Sequence, residues 1–243
     1  MGIRTILGDG TVSTKLRLAC IDSAALPLFD ASPDGITRDG YEPELAALVA
    51  AEIGREVEWM FMPWDNMIPA VRSGEADAVW CGQGMIPERI ALVDFTQPYA
   101  IFNETVLVRS GDPASGPTTM SGYRVGAIAN SANLKVAQSI EGAVIVEFGA
   151  SADVFHDMIE ALRRGDVDAF VDDDVVMLPL GDDPDFQVAF TAETRNPWGV
   201  GVKPGNAQLL GALNAAFDTL RADGRLEAVW SKWMPKLPYP LGG

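Results

Sequence analysis

Short apolar runs recur along this chain, each broken by a polar or glycine-rich segment and followed by helically spaced apolar positions. LRLACID (16–22) is an apolar run of β-formers ended by Asp22, and predicts a buried strand. A loop rich in Pro, Asp and Gly (27–40) leads to Glu42-Pro43-Glu44, which opens a helix with proline in its first turn and acids where the helix dipole favours them. Leu45, Leu48, Val49 and Ile53 form the apolar stripe of that helix, and Gly54 ends it. EVEWMF (56–61) predicts a second strand, Asp65 caps a short helix running to Ser73-Gly74, and DAVWC (77–81) predicts a third strand.

The same grammar returns further on. YRVGAIA (123–129), AVIVEF (143–148) and VDAFV (167–171) predict strands, and the helices SANLKVAQSI (131–140) and ADVFHDMIEALRRG (152–165) alternate with them. TVLVRSGDPASGPTTMSG, a strand and then a turn-rich segment, separates the two blocks. Strand–helix alternation is the pattern of a parallel sheet covered by helices, so the chain reads as two α/β blocks. The tail holds a strand (WGVGVKPGN) and two helices (AQLLGALNAAFDTLRADG and RLEAVWSKWM); it is too small to stand alone and must pack on one block. Two such lobes create a crevice. Ligands bind beyond the carboxyl ends of parallel strands, and domain interfaces favour small-molecule pockets.

Composition narrows the partners. The 243 residues carry 18 basic and 34 acidic side chains, a net charge of −16, with 48% hydrophobic content. Such a surface repels nucleic acid and anionic lipid. The single histidine, His156, excludes a zinc site built on several histidines, and any Ser-His-Asp or Cys-His site must use it. Cys20 and Cys81 lie in apolar strand-like segments without CxxC spacing and read as buried free thiols; a disulfide stays open if the two strands are neighbours. No apolar run approaches the ~20 residues of a membrane span. The amino terminus, MGIRTILGDGTVSTK, has no apolar stretch of signal-peptide length, and Ile6 and Leu7 exclude the myristoylation pattern. From the residues alone, the chain is either cytosolic or lacks a removed leader.

The strand ends carry the candidate chemistry. Asp22 and Leu26–Phe29 follow the first strand, and Pro63-Trp64-Asp65 the second. Gly82, Gln83 and Gly84 follow the third, with Arg89 shortly after; Asn130-Ser131 opens a helix and Asp172-Asp173-Asp174 follows a strand. Each has an ordinary alternative: Trp64 as core, Arg89 as a surface partner of Asp94, Ser131 as a plain helix cap. The acidic triplet suits a helix start, and three adjacent acids do not converge on one point as a metal site requires. Taken together, an arginine fork, a capping serine beside free N–H groups, an aspartate and an aromatic wall describe a pocket for a zwitterionic amino acid.

These stretches resemble the amino-acid-binding, type II (family 3) periplasmic solute-binding proteins of ABC importers. GYEPELAALVAAEIG is similar to a family helix, and PWDNMIPAVRSGEADAVWCGQGMIPERIALVDFTQPY to the family's long spaced core. VGAIANSANLKVA, RRGDVDAFVDDDVV, PWGVGVKPGN and LRADGRLEAVWSKW follow as later landmarks in the same order. The resemblance implies a two-lobed α/β fold with a central cleft and two hinge strands: lobe 1 from 1–103 and 196–243, lobe 2 from 104–195. It implies that strands one and three are adjacent, which brings Cys20 near Cys81.

By the same resemblance Arg89 holds the ligand carboxylate with help from Ser131, and Asp173 accepts from the α-ammonium. Trp64 stacks on the ligand, and the backbone of Gly82 and Gly84 contacts the ammonium. Gln83, Asn130, Asp22 and Leu26 complete the expected ligand-contacting set. The chain departs from the pattern at Gly84, where the family carries Ser or Thr, at Leu26, where it carries an aromatic, and at Gln83, where it carries an apolar residue. Gly84 suggests extra room for a bulkier or N-substituted ligand.

The implied function is capture of an amino acid or related carboxylate by a monomeric, non-enzymatic, extracytoplasmic protein that delivers it to an ABC permease, with no cofactor and no metal. The rivals are a cyclohexadienyl dehydratase-like enzyme on the same scaffold and a ligand-sensing module.

Overall fold

The computed structural model of the protein describes residues 5–6, 12–149, 151 and 153–242. The readings that rest on residues 1–4 and 7–11 lie outside it. The first strands, β1 (Thr5–Ile6) and β2 (Val12–Ser13), form a small antiparallel ribbon.

Two five-stranded sheets carry the rest. The first combines β3 (Lys15–Cys20), β4 (Glu56–Phe61), β5 (Ala78–Val79), β6 (Asp94–Phe95) and β12 (Gly201–Val202), in the order β4-β3-β5-β12-β6. Its β3 runs parallel to β4 and β5, while β12 is antiparallel to its neighbours. The second combines β7 (Ala100–Arg109), β8 (Arg124–Ile128), β9 (Val144–Phe148), β10 (Ala169–Asp173) and β11 (Phe186–Trp198), in the order β11-β7-β10-β8-β9. Here β8 is parallel to β9 and β10, and β7 lies antiparallel between β10 and β11.

Helices α1 (Tyr41–Glu52), α2 (Trp64–Ser73) and α3 (Pro87–Ile90) connect the strands of the first sheet. Helices α4 (Ala132–Ser139), α5 (Val154–Arg164) and α6 (Asp174–Leu180) belong to the second. Of the stripe read from the sequence, Leu45 and Val49 in α1 are fully buried and Ile53 at its end nearly so, while Leu48 is half-buried. Pro63, not Asp65, precedes α2; Asp65 is its second residue, where an acid still suits the helix dipole.

The tail is not an independent unit. Helices α7 (Ala207–Ala222) and α8 (Arg225–Trp233) pack beside α1. Phe217 stacks on Tyr99 with ring centroids 6.0 Å apart, and Trp230 meets Tyr41 edge-on at 5.6 Å. The two halves repeat one device: Arg17 on β3 pairs with Asp77 just before β5, and Arg124 on β8 with Asp168 just before β10, both at 2.8 Å.

One long strand escaped the pattern reading. β11 mixes buried, half-buried and exposed positions, and its pairing with β7 shifts register at Val188/Phe190 and at Ala192/Asn196. Bulges interrupt the two-residue period on which strand recognition rests. With β7 it spans the junction between the two halves: Trp198 pairs with Ala100 at one end and Phe186 with Arg109 at the other. Cys20 and Cys81 are buried, free thiols on the adjacent strand ends of β3 and β5.

Candidate functional site

The carboxyl ends of the central strands of both sheets converge on one partly open cavity of about 60 Å³. From the first sheet come Ile21, Cys81, Gly82 and Gly84; from the second, Ile128, Asp172 and Asp173. Trp64 at the start of α2, Arg89 in α3 and Ser131 before α4 complete the polar and aromatic frame.

Arg89 is 6% exposed, and among the described residues it has no carboxylate within ion-pair distance. Its guanidinium donates to two backbone carbonyls, Gly84 at 3.3 Å and, across the cleft, Asn130 at 2.9 Å. It also lies 5.1 Å from the centre of the Trp64 ring, within cation–π range. Burial pulls its pKa down to about 10, with Asp173 opposing the shift. A buried cation that spends only part of its donor capacity on carbonyls is suited to receive an anion. The surface pairing with Asp94 offered as its ordinary alternative does not form: Asp94 instead accepts from the Gly205 N–H at 2.8 Å.

Facing it, Asp173 ends β10. It is buried, and among the described residues its Oδ1 has no hydrogen-bond partner. Burial, then the charges of Asp172, Glu104 and Asp174, push its pKa well up. Glu104 is its direct cross-strand partner on β7, so two carboxyl groups share one face. Asp172 accepts from the Asn133 side chain at 3.2 Å and from the Asp173 N–H at 2.8 Å, and burial raises it to about 6. Asp174 turns away to Asn103 at 3.1 Å. Among the described residues, no group of three or more His, Cys, Asp or Glu is placed to hold a metal ion.

Ser131 caps α4, accepting from the Leu134 N–H at 3.1 Å. Its hydroxyl proton goes to the Ile128 carbonyl at 2.5 Å, so towards the cavity it presents chiefly the first N–H groups of the helix. Gly82 has φ +56, the left-handed region that favours glycine, and a Cβ there would meet the Trp198 ring at 3.2 Å. Its N–H donates to Glu42 at 2.8 Å, and the Tyr99 hydroxyl donates to the same carboxyl oxygen. Glu42, read from the sequence only as a helix-start acid, is thus a buried anchor for the glycine turn. Burial raises its pKa to about 7.

Of the residues expected from the sequence, Trp64, Gly82, Gly84, Arg89, Ser131 and Asp173 line the cavity. The other four do not. Asp22 is exposed and accepts from the Ser32 N–H at 2.8 Å, tying down the following loop. Leu26 is 46% exposed, beside Trp233 and α6 in a separate surface groove, because the backbone turns inward at Ala25, Leu28 and Phe29 instead. Gln83 folds its amide onto the Cys81 carbonyl at 3.2 Å, and it shares with Asn130 an outer groove on the far side of Trp64 and Arg89.

The expected extra room at Gly84 is also absent. A Cβ placed on Gly84 would lie 2.6 Å from Asn196 Nδ2, so the Asn196 side chain fills that space. Asn133, Phe155, Asn196 and Trp198 line the cavity without having been singled out, and so does Asp172, which was noted only as part of the acidic triplet. Asn133 sits two positions from Ser131, while Asn196 lies on the unrecognised β11 and Trp198 at its end, where the tail strand was read to begin.

Residues 19–236 match the sequence profile of the bacterial extracellular solute-binding proteins, family 3. An ABC transporter glutamine-binding protein of Bacillus subtilis is 26% identical over 206 residues, covering 82% of this chain and 74% of that protein. ABC transporter arginine-binding protein 1 of Escherichia coli is 28% identical over 221 residues, covering 88% and 89%. Among solved structures, an ancestral arginine-binding protein bound to arginine superimposes with a TM-score of 0.82 at 26% identity, covering 91% of this chain and 98% of that one.

Proposed function

The chain belongs to the bacterial extracellular solute-binding proteins of family 3, and from that premise we propose that it captures an α-amino acid in the cavity between its lobes and hands it to an ABC permease. In this reading lobe 1 comprises 1–103 and 196–243, lobe 2 comprises 104–195, and β7 and β11 are the hinge. The carrying observation is the pairing of opposite deficits across the cleft: a buried Arg89 without a carboxylate partner and a buried Asp173 with an unpartnered oxygen. A zwitterion supplies both missing partners. Its carboxylate takes the Arg89 fork and the N–H groups at the start of α4, and its ammonium takes Asp173.

Binding draws the lobes together, because the two charged anchors sit on opposite sides of the cleft. A ligand shifts such an equilibrium by the difference in its affinity for the two states. Polar contacts that already bridge the lobes include Arg89 to the Asn130 carbonyl, Lys135 to Glu88 and Lys236 to Asp182, each ion pair at 2.7 Å, and the Ser23 hydroxyl to Asp153. The exposed ion pairs among them contribute about 0–1 kcal/mol each, so the ligand's charged contacts weigh heavily in the equilibrium.

The protein acts as a monomer outside the cytoplasm, periplasmic or anchored at the cell surface, and its acidic surface disfavours nucleic acid as a partner. The relatives described above are transporter binding proteins, which favours capture over the dehydratase chemistry. The test is calorimetry on protein unfolded, dialysed and refolded to strip carried-over ligand, titrated with the twenty amino acids. Saturable binding of at least one supports the proposal; a folded protein that binds none overturns it.

A further inference from the structure

We infer that the site selects a compact amino acid, one with a side chain of at most a few atoms, and that Asn196 and Trp198 impose this limit. The inference rests on the amino-acid capture reading above. Asn196 and Trp198 are two positions apart on β11 and project from the same face of the strand, towards the glycine turn. Each occupies the space that a side chain on the turn would otherwise take. The Asn196 amide lies where a Cβ on Gly84 would be met at 2.6 Å, and the far edge of the Trp198 indole stands 3.2 Å from a Cβ on Gly82.

Trp198 is held from behind. Phe102 packs edge-on against it with ring centroids 4.4 Å apart, and Trp198 itself is 1% exposed. Asn196 stands beside the buried carboxyl of Glu104, which accepts from the Thr194 hydroxyl. Phe29 and Phe155 close the cavity on other sides.

The remaining space is small. A cavity of about 60 Å³ holds about four to six water-sized centres. The ammonium, α-carbon and carboxylate nearly fill that space and leave room for at most about one further atom. Phe29, Trp64, Phe155, Trp198 and aliphatic side chains form much of the wall, with the amides of Asn133 and Asn196 among them. Glycine and alanine satisfy these limits and serine sits at their edge, whereas the long side chains of arginine and glutamine, the ligands named for the similar proteins, exceed them.

The experiment is a competition series on stripped protein, measuring calorimetric affinities for glycine, alanine, serine, glutamine and arginine in wild type and in Asn196→Ala. In the wild type the tightest compact ligand is expected to bind at least about tenfold more strongly than glutamine or arginine, since overfilling a packed cavity carries a penalty of that order. Asn196→Ala is expected to narrow that ratio at an unchanged circular dichroism spectrum. Equal or tighter binding of arginine or glutamine by the wild type overturns this inference and leaves amino-acid capture standing. Binding of none of the five, with another amino acid bound in the full panel, also overturns the size limit. Failure with every amino acid overturns the capture reading, and this inference with it. If Asn196→Ala does not fold, Asn196→Ser supplies the same comparison with a smaller deletion.

Discussion

Replacing Glu104 by Gln should flatten the pH dependence of stability in the ligand-free protein. Glu104 is fully buried on β7, directly opposite Asp173. Among the described residues its Oε1 has no hydrogen-bond partner. Burial first, and then the charges of Asp174 and Asp172, lift its pKa from the ordinary 4.5 to about 7. A carboxyl group whose folded pKa exceeds its unfolded value binds its proton more tightly in the folded state. Its contribution is therefore fully present below the unfolded pKa of 4.5 and is lost as pH rises towards and through about 7. At ~1.4 kcal/mol per pH unit, a separation of that size corresponds to about 3 kcal/mol in all and to about 2–3 kcal/mol between pH 5 and pH 8.

The amide introduced by Glu104→Gln keeps an acceptor for the Thr194 hydroxyl, adds a donor beside the unpartnered Asp173 oxygen, and cannot ionise. Urea unfolding of stripped wild type and Glu104→Gln at pH 5 and pH 8 measures the difference. The variant should lose about 2–3 kcal/mol less than wild type between the two pH values. Parallel losses, agreeing within about 0.5 kcal/mol, would refute the reasoning. Glu42 at about 7 and Asp172 at about 6 act in the same direction in both proteins, so neither curve should be flat. Asp168 acts oppositely: Arg124 holds it at about 2, so its contribution is present above its ordinary value of 3.8 and disappears as pH falls towards and through about 2.

Other consequences follow from single contacts. Ser131→Ala removes the cap of α4 and leaves the buried Ile128 carbonyl short of a donor; a loss of about 1–2 kcal/mol in urea unfolding is expected, and an unchanged midpoint would contradict the role of the cap. Cys20 and Cys81 should resist a thiol reagent in the folded protein and both react after unfolding without reductant; recovery of no thiol on unfolding would show a disulfide instead. Glu42→Ala strips the acceptor from the Gly82 N–H and the Tyr99 hydroxyl. It should weaken ligand binding as well as stability, the latter by about 2–4 kcal/mol, and affinity equal to wild type would place Glu42 outside the support of the site.

The fold was legible where hydrophobic period and strand-end chemistry coincide. Leu45 and Val49 of α1, the strands at 16–22 and 77–81, and Arg89 after the glycine turn all follow from local pattern, because each is determined by its own neighbours in sequence. What stayed hidden depends on tertiary pairing. The register shifts in β11 erase its alternation, so Asn196 and Trp198 could not be placed against Gly84 and Gly82. Glu42 looked like an ordinary first-turn acid because its partners, Gly82 and Tyr99, lie 40 and 57 residues away. Gly84 suggested added space for the same reason: a missing side chain shows in the sequence, and the residue that fills its place does not.

The central claim is that a ligand carboxylate rests on Arg89, and calorimetric titration of wild type and Arg89→Ala with the amino acid that binds tightest in the panel tests it most directly. Among the described residues Arg89 makes two side-chain hydrogen bonds, both to carbonyls, so the variant should keep its fold and its circular dichroism spectrum. Loss of a buried charged hydrogen-bonding pair at about 1.5–3 kcal/mol per bond predicts at least about 100-fold weaker binding for a two-bonded carboxylate. An affinity within about threefold of wild type, on a folded variant, would contradict the account.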